Sequence, residues 1–283
     1  MNRETSVYLD IVRLSAAMVV FVGHVSGMRL TGGFLWQFGP YMSQAVTVFF
    51  VLSGFVIAYV TDGREGTARI YSISRLARIY SVALPALVLT IALDTLGRTV
   101  NPDVYNATWG YHADGRIWQF LSGLFFVHQI WFSDVSQGSC LPYWSLGYEA
   151  WYYLIFGLFF FSRRRLLWTG LAMAAAGPAI LAMFPLWLLG VGTYRLARTP
   201  HISTFRSVSL WIGSFAGWIA YEAWAARHGR LVGFAPAWLR RPELLQDYLI
   251  GTLFAANLLG FAAAAPLFAR PMASIASVVR WGA

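Results

Sequence analysis

Apolar residues run along the chain in blocks long enough to cross a hydrocarbon core of about 30 Å, which takes roughly 17 to 25 residues. Candidate spans read as Leu9–Met28, Gln44–Val60, Ile79–Leu96, Trp118–Phe132, Trp144–Phe161, Leu166–Met183, Pro185–Leu196, Val208–Ala226 and Tyr248–Phe268. The blocks at Trp118 and Pro185 are short for a full crossing. Between the blocks, the longest polar segments are Thr61–Arg78, Gly97–Arg116 and Arg227–Asp247, each short enough for an ordered loop or an interfacial helix. The first block carries Asp10, Arg13 and His24 and no small-residue cleavage site follows it, so it does not read as a signal peptide. No internal repeat, linker or soluble domain stands out. The pattern predicts an all-α fold: one polytopic transmembrane helix bundle over residues 1–283, with about eight to nine spans. The Trp118 block, whose polar positions include Ser122, His128 and Gln129, suits a re-entrant element.

Composition removes the soluble alternatives. Of 283 residues, 58% are apolar and only 12% charged, against roughly 25% charged in a soluble domain. All 21 basic residues are arginine, so the net charge of +9 is fixed at physiological pH. The arginines lie between the apolar blocks instead of forming one patch, which argues for a bilayer and against nucleic acid. Cys140 is the only cysteine, so no disulfide forms within the chain. With a cytoplasmic amino terminus and a full crossing at Trp118, nine arginines fall inside and eleven outside. If that block dips in and returns, the count becomes 13 inside and 7 outside, as the positive-inside rule favours.

Against so few charges, those within apolar blocks stand out, because a charge near mid-bilayer costs at least about 2.5 kcal/mol. Asp10 and Arg13, three apart, share a helix face and can pair. Arg13 and His24, eleven apart, lie within about 20° of one stripe, separated by a rise of about 16.5 Å. Asp10–Arg13 also reads as a topology-setting pair, and His24 as a histidine bonded to a neighbouring helix. Ser53-Gly54 in the second block permits close helix packing. Arg75 and Arg78, three apart, suit bidentate phosphate binding and equally suit cytoplasmic anchoring. Ser145 and Glu149 share a face flanked by aromatic residues. Glu149 needs a histidine, an arginine or a polar ligand, unless it sits in the headgroup zone. The triple Arg163–Arg165 reads as a stop signal. There is no Gly-rich phosphate loop and no paired-histidine metal motif; His112, His128, His201 and His228 form no ligand pattern, and no metal is expected.

Taken together, the pieces resemble the acyltransferase 3 family of bacterial integral-membrane acyltransferases. The resemblance rests on Tyr8-Leu9-Asp10-Ile11-Val12-Arg13 with Gly23-His24, where the family has an arginine, ten residues and a histidine. It continues in Val48-Phe49-Phe50-Val51-Leu52-Ser53-Gly54-Phe55, in the paired Arg75 and Arg78, and in Trp144-Ser145-Leu146 followed by Glu149 and Tyr152-Tyr153. It implies transfer of an acyl group, usually acetyl from acetyl-coenzyme A, to a hydroxyl of a carbohydrate or other envelope or secreted acceptor, in the bacterial cytoplasmic membrane. Under it, His24 is the base and Asp10, Arg13 and Glu149 complete the catalytic set. Arg75, Arg78 and Ser53 are assigned to the acyl-CoA donor, whose pantetheine arm would run along the Arg13–His24 stripe. Two features depart from the family. Ile79-Tyr80-Ser81 stands where Ile-Tyr-Pro is common, and the chain stops at Ala283 about one helix short, which reads as a truncation. The competing class is a proton-coupled transporter or flippase with Asp10, Arg13, His24 and Glu149 along a polar path; a third is a non-catalytic membrane scaffold.

Overall fold

A computed structural model of the chain describes residues 2–27, 31–106, 110–198, 203–233, 236, 239 and 241–282. Of the residues singled out above, Met28, His201 and Ala283 lie outside the described residues. The elements are α1 (Arg3–Val25), a 3-10 segment Trp36–Tyr41, α2 (Met42–Gly63), α3 (Ala68–Val100), α4 (Arg116–Leu124), α5 (Trp144–Phe161), α6 (Arg165–Ala176), α7 (Pro178–Arg198), α8 (Thr204–His228), α9 (Leu244–Ala264) and α10 (Ala269–Gly282). No strand occurs among the described residues. Among the described residues, five helical segments are long and apolar enough to cross a membrane: Arg3–Val25, Trp36–Gly63, Ala68–Val100, Pro178–Arg198 and Leu244–Ser277. Val82, Leu89, Leu93 and Leu96 of α3 are all exposed. An apolar exterior of this kind belongs in hydrocarbon, not water.

Two expected spans are redrawn. Leu166–Met183 is not one helix, because α6 stops at Ala176 and α7 starts at Pro178. Gly177 adopts φ +82 and lies against the Trp131 backbone, and proline suits the first turn of the helix that follows. Pro185, expected near the start of a short span, sits inside the 21-residue α7. The Trp118 block, short for a full crossing in the sequence, is not one continuous helix. α4 has nine residues, about 13.5 Å of rise, and irregular backbone follows it to residue 140.

The chain forms two compact units, one of residues Met1–Asp62 with Pro185–Ala283 and the other of Gly63–Phe184. In the first, α8 and α9 pack side by side. Gly260 makes this possible, since a Cβ there would meet Ser207 O at 2.7 Å and Trp211 N at 2.6 Å. Tyr8 of α1 stacks on Phe261 at 3.8 Å between ring centroids. α2 and α7 approach until backbone touches backbone: a Cβ on Gly54 would strike the Trp187 carbonyl, and one on Gly190 the Val51 carbonyl. Small residues permit this in membranes, where dispersion contacts and not hydrophobic exclusion hold helices together.

In the second unit, α5 packs on α6 and on α3. Ile79, Ala83, Leu87, Phe126 and Tyr143 form a buried core. The Asp94 carboxylate, buried in α3, ties down the loop before α5 by accepting from Ser139 N at 3.0 Å and from the Ser139 hydroxyl.

Candidate active site

α1 begins at an Asn2 cap, whose side-chain oxygen accepts from Thr5 N at 3.1 Å. The helix then runs unbroken to Val25, so the spacing read from the sequence becomes geometry. Asp10 Oδ1 lies 3.7 Å from Arg13 Nη1, both side chains half-buried. His24 occupies the last turn, exposed, on the stripe that three helical turns carry up from Arg13. The opposite face of α1 does something else. Tyr8, Val12, Ser15 and Val19 line a cavity of about 620 Å³ whose remaining wall comes from the 3-10 segment, α2, α8 and α9. α1 therefore separates a polar stripe from an apolar chamber.

In the second unit, Arg75, Arg78 and Glu149 belong to one cluster on α3 and α5. Arg75 Nη2 donates to Glu65 Oε1 at 2.6 Å, and both side chains are nearly buried. The guanidinium carbon of Arg75 lies 5.8 Å from the Tyr71 ring centroid and 5.7 Å from that of Tyr153, a double cation–π contact. Tyr71 in turn donates its hydroxyl to the Tyr153 carbonyl at 2.9 Å. One turn along α3, Arg78 is exposed; it hydrogen bonds to Tyr153 and lies in the field of Glu149. Tyr153 donates its hydroxyl to Glu149 Oε1. The Glu149 carboxylate thus has a tyrosine backed by an arginine for a partner. Ser145, on the same face, donates instead to the Pro142 carbonyl at 3.1 Å. Two buried atoms of the cluster, Glu65 Oε2 and Arg75 Nε, have no hydrogen-bond partner among the described residues.

Ser53 lies elsewhere, in the first unit, where its hydroxyl oxygen accepts from Trp187 Nε1 at 3.2 Å beside the Gly54 contact. This is the packing alternative that Ser53-Gly54 offered from sequence.

Three buried polar residues have no place in the site assigned from the sequence. Glu65 is one acid in a polar loop, and only the fold brings it to Arg75. Asp247, at the end of the polar segment Arg227–Asp247 in the sequence, is fully buried at the start of α9 and accepts from Thr47 Oγ1 at 2.8 Å and Ser43 Oγ at 3.2 Å. His128 is fully buried in the irregular segment after α4, its Nδ1 at 3.4 Å from the Ser122 carbonyl and its ring against Gly147. Among the described residues no group of three His, Cys, Asp or Glu side chains is placed to hold a metal ion.

No curated protein and no solved structure matches the chain. One family does: the acyltransferase domain of the acyltransferase 3 family matches residues 6–278, nearly the whole length. That match takes in both units, the α1 stripe and the Arg75–Arg78–Glu149 cluster. The chain belongs to the acyltransferase 3 family.

Proposed function

We propose that the protein is a membrane O-acetyltransferase of the bacterial cytoplasmic membrane. It moves an acetyl group from acetyl-coenzyme A to a hydroxyl of a carbohydrate or other envelope or secreted acceptor. The observation that carries this reading is the α1 stripe. Within an otherwise apolar crossing helix, Asp10, Arg13 and His24 share one face, and charges at such depth are retained for function.

In the proposed chemistry, neutral His24 takes the proton of the acceptor hydroxyl as its oxygen attacks the thioester carbonyl carbon. The C–S bond breaks, and the departing thiolate of coenzyme A takes the proton back from the imidazolium. The products are the acetyl ester and free coenzyme A, and the base returns to its starting state. Arg13, held by Asp10 and about 16.5 Å from His24 along α1, lines the path by which the pantetheine arm of the donor reaches the base. Arg78 is the better of the paired arginines for a donor phosphate, because it is exposed, whereas Arg75 is already engaged by Glu65. In this reading Arg75 and Glu149 are positioning residues for Arg78, acting through Tyr153. Ser53, whose hydroxyl meets Trp187 in the α2–α7 contact, is assigned to the donor by the family resemblance alone. A topology of eight to nine spans with a re-entrant segment after α4 accompanies the proposal.

The test is mass spectrometry of envelope glycans and secreted metabolites from cells with and without the protein. One acceptor gaining an acetyl mass increment only when the protein is present is expected. Movement of a substrate across the membrane without consumption of thioester would replace the enzyme with a carrier.

A further inference from the structure

Acyl transfer leaves the chamber behind α1 without a role. Its wall is almost entirely carbon, and the space exists because small side chains, Ser15 and Ala16 of α1 and Ala45 of α2, stand where larger ones would fill it. Along α1 it extends from Tyr8 to Val19, eleven residues or about 16.5 Å. The two ends differ. At the Tyr8 end the polar groups satisfy one another. The Tyr8 hydroxyl donates to Asn257 Oδ1, and Asn257 Nδ2 donates to Ser214 Oγ at 3.1 Å. At the Val19 end Trp218 Nε1 donates to Gln44 Oε1 at 2.9 Å, and Gln44 Nε2 donates to Glu222 Oε1 at 2.6 Å. There Arg230 stands 3.7 Å from Glu222 and over the Tyr41 ring. The chamber is thus a long apolar slot with a polar floor at the Tyr8 end and a charged, hydrogen-bonding mouth at the Val19 end.

An empty apolar space of this volume forfeits dispersion contacts along its whole wall, and water would find partners only at the mouth. α1, α2 and α9 are all apolar enough to cross the membrane, so at this depth the surrounding medium is hydrocarbon. A lipid chain is present there as solvent, whereas the acyl chain of a coenzyme A thioester would have to enter from water. We propose that the chamber holds one aliphatic chain of a bilayer lipid, with its head group at the Gln44–Trp218–Arg230 mouth and its methyl end toward Tyr8. The seated head group would lie one to two turns short of His24 along α1, on the face away from the polar stripe. The inference concerns binding alone and stands whether or not acetyl transfer does.

The experiment is photo-crosslinking of the full chain in lipid nanodiscs containing a phospholipid with a diazirine near its chain end. Enriched labelling of the cavity-facing residues of α1, α8 and α9 over exposed apolar residues such as Phe21, Leu89 and Leu93 is expected. Ala45→Phe and, independently, Ser15→Phe should remove most of the cavity labelling and leave that at Phe21 intact. Should either variant fail to fold, the wild-type map decides alone: equal labelling of cavity and outer faces overturns the proposal. Competition separates the two sources of chain. Loss of label with excess unlabelled phospholipid supports the lipid. Loss with palmitoyl-coenzyme A alone overturns it in favour of the donor's own acyl chain. Labelling requires no turnover, so a protein inactive toward acetyl-coenzyme A but labelled in the cavity would refute the proposed activity and leave this site standing.

Discussion

Arg75 and Arg78 sit one helical turn apart, yet their surroundings give them different work. Arg75 is nearly buried against Glu65 and between two tyrosine rings. Removing one partner of such a pair leaves an uncompensated charge, at a cost of about 3–5 kcal/mol. Arg75→Ala and Glu65→Ala should therefore both lower the unfolding temperature in detergent, and the double variant should lose less than the sum of the two. Arg78 is exposed, so Arg78→Ala should fold normally and raise the KM for acetyl-coenzyme A about tenfold or more with little change in kcat. Initial rates over a range of donor concentration check this, and an unchanged KM would refute the phosphate role.

At the scale of elements, the α2–α7 contact is where packing is tightest. Gly54 and Gly190 each admit a carbonyl of the other helix, and backbone cannot move aside as a side chain can. Gly54→Val and Gly190→Val should each destabilise the protein by at least about 2 kcal/mol, visible as aggregation on heating before purified wild type aggregates. Ser53→Ala loses an acceptor for Trp187 and should cost about 1 kcal/mol; a selective loss of donor binding in Ser53→Ala would support its assignment to the donor. The same scale explains which helices the apolar pattern located. α1, α2 and α3 follow their blocks because polar segments separate them. The redrawn boundary at Gly177–Pro178 lies within continuous apolar sequence, where hydropathy is blind and only the backbone demands of glycine and proline mark the break. In the Trp118 block only α4 is regular helix, because hydropathy measures what a segment can sit in, not which backbone it adopts.

For the whole molecule, the α1 stripe was legible because helix periodicity alone determines which of its residues share a face. Glu149 was legible as a charge needing a partner, though not as the acceptor for Tyr153. The chamber and the Glu65–Arg75 pair were not legible. The chamber is assembled from segments up to 249 positions apart, as the Tyr8–Asn257 bond illustrates, and no local pattern encodes an absence of side chains. The central claim is that a family acyltransferase uses His24 as its base, and one experiment addresses it most directly. Purified wild type and His24→Ala are placed in nanodiscs with donor carrying a radiolabelled acetyl group and the acceptor identified by mass spectrometry, and ester formation is followed over a single turnover. The account predicts ester formation by the wild type and a loss of at least about 100-fold in His24→Ala, with donor binding retained. Transfer at the wild-type rate by a folded, donor-binding His24→Ala protein would contradict it.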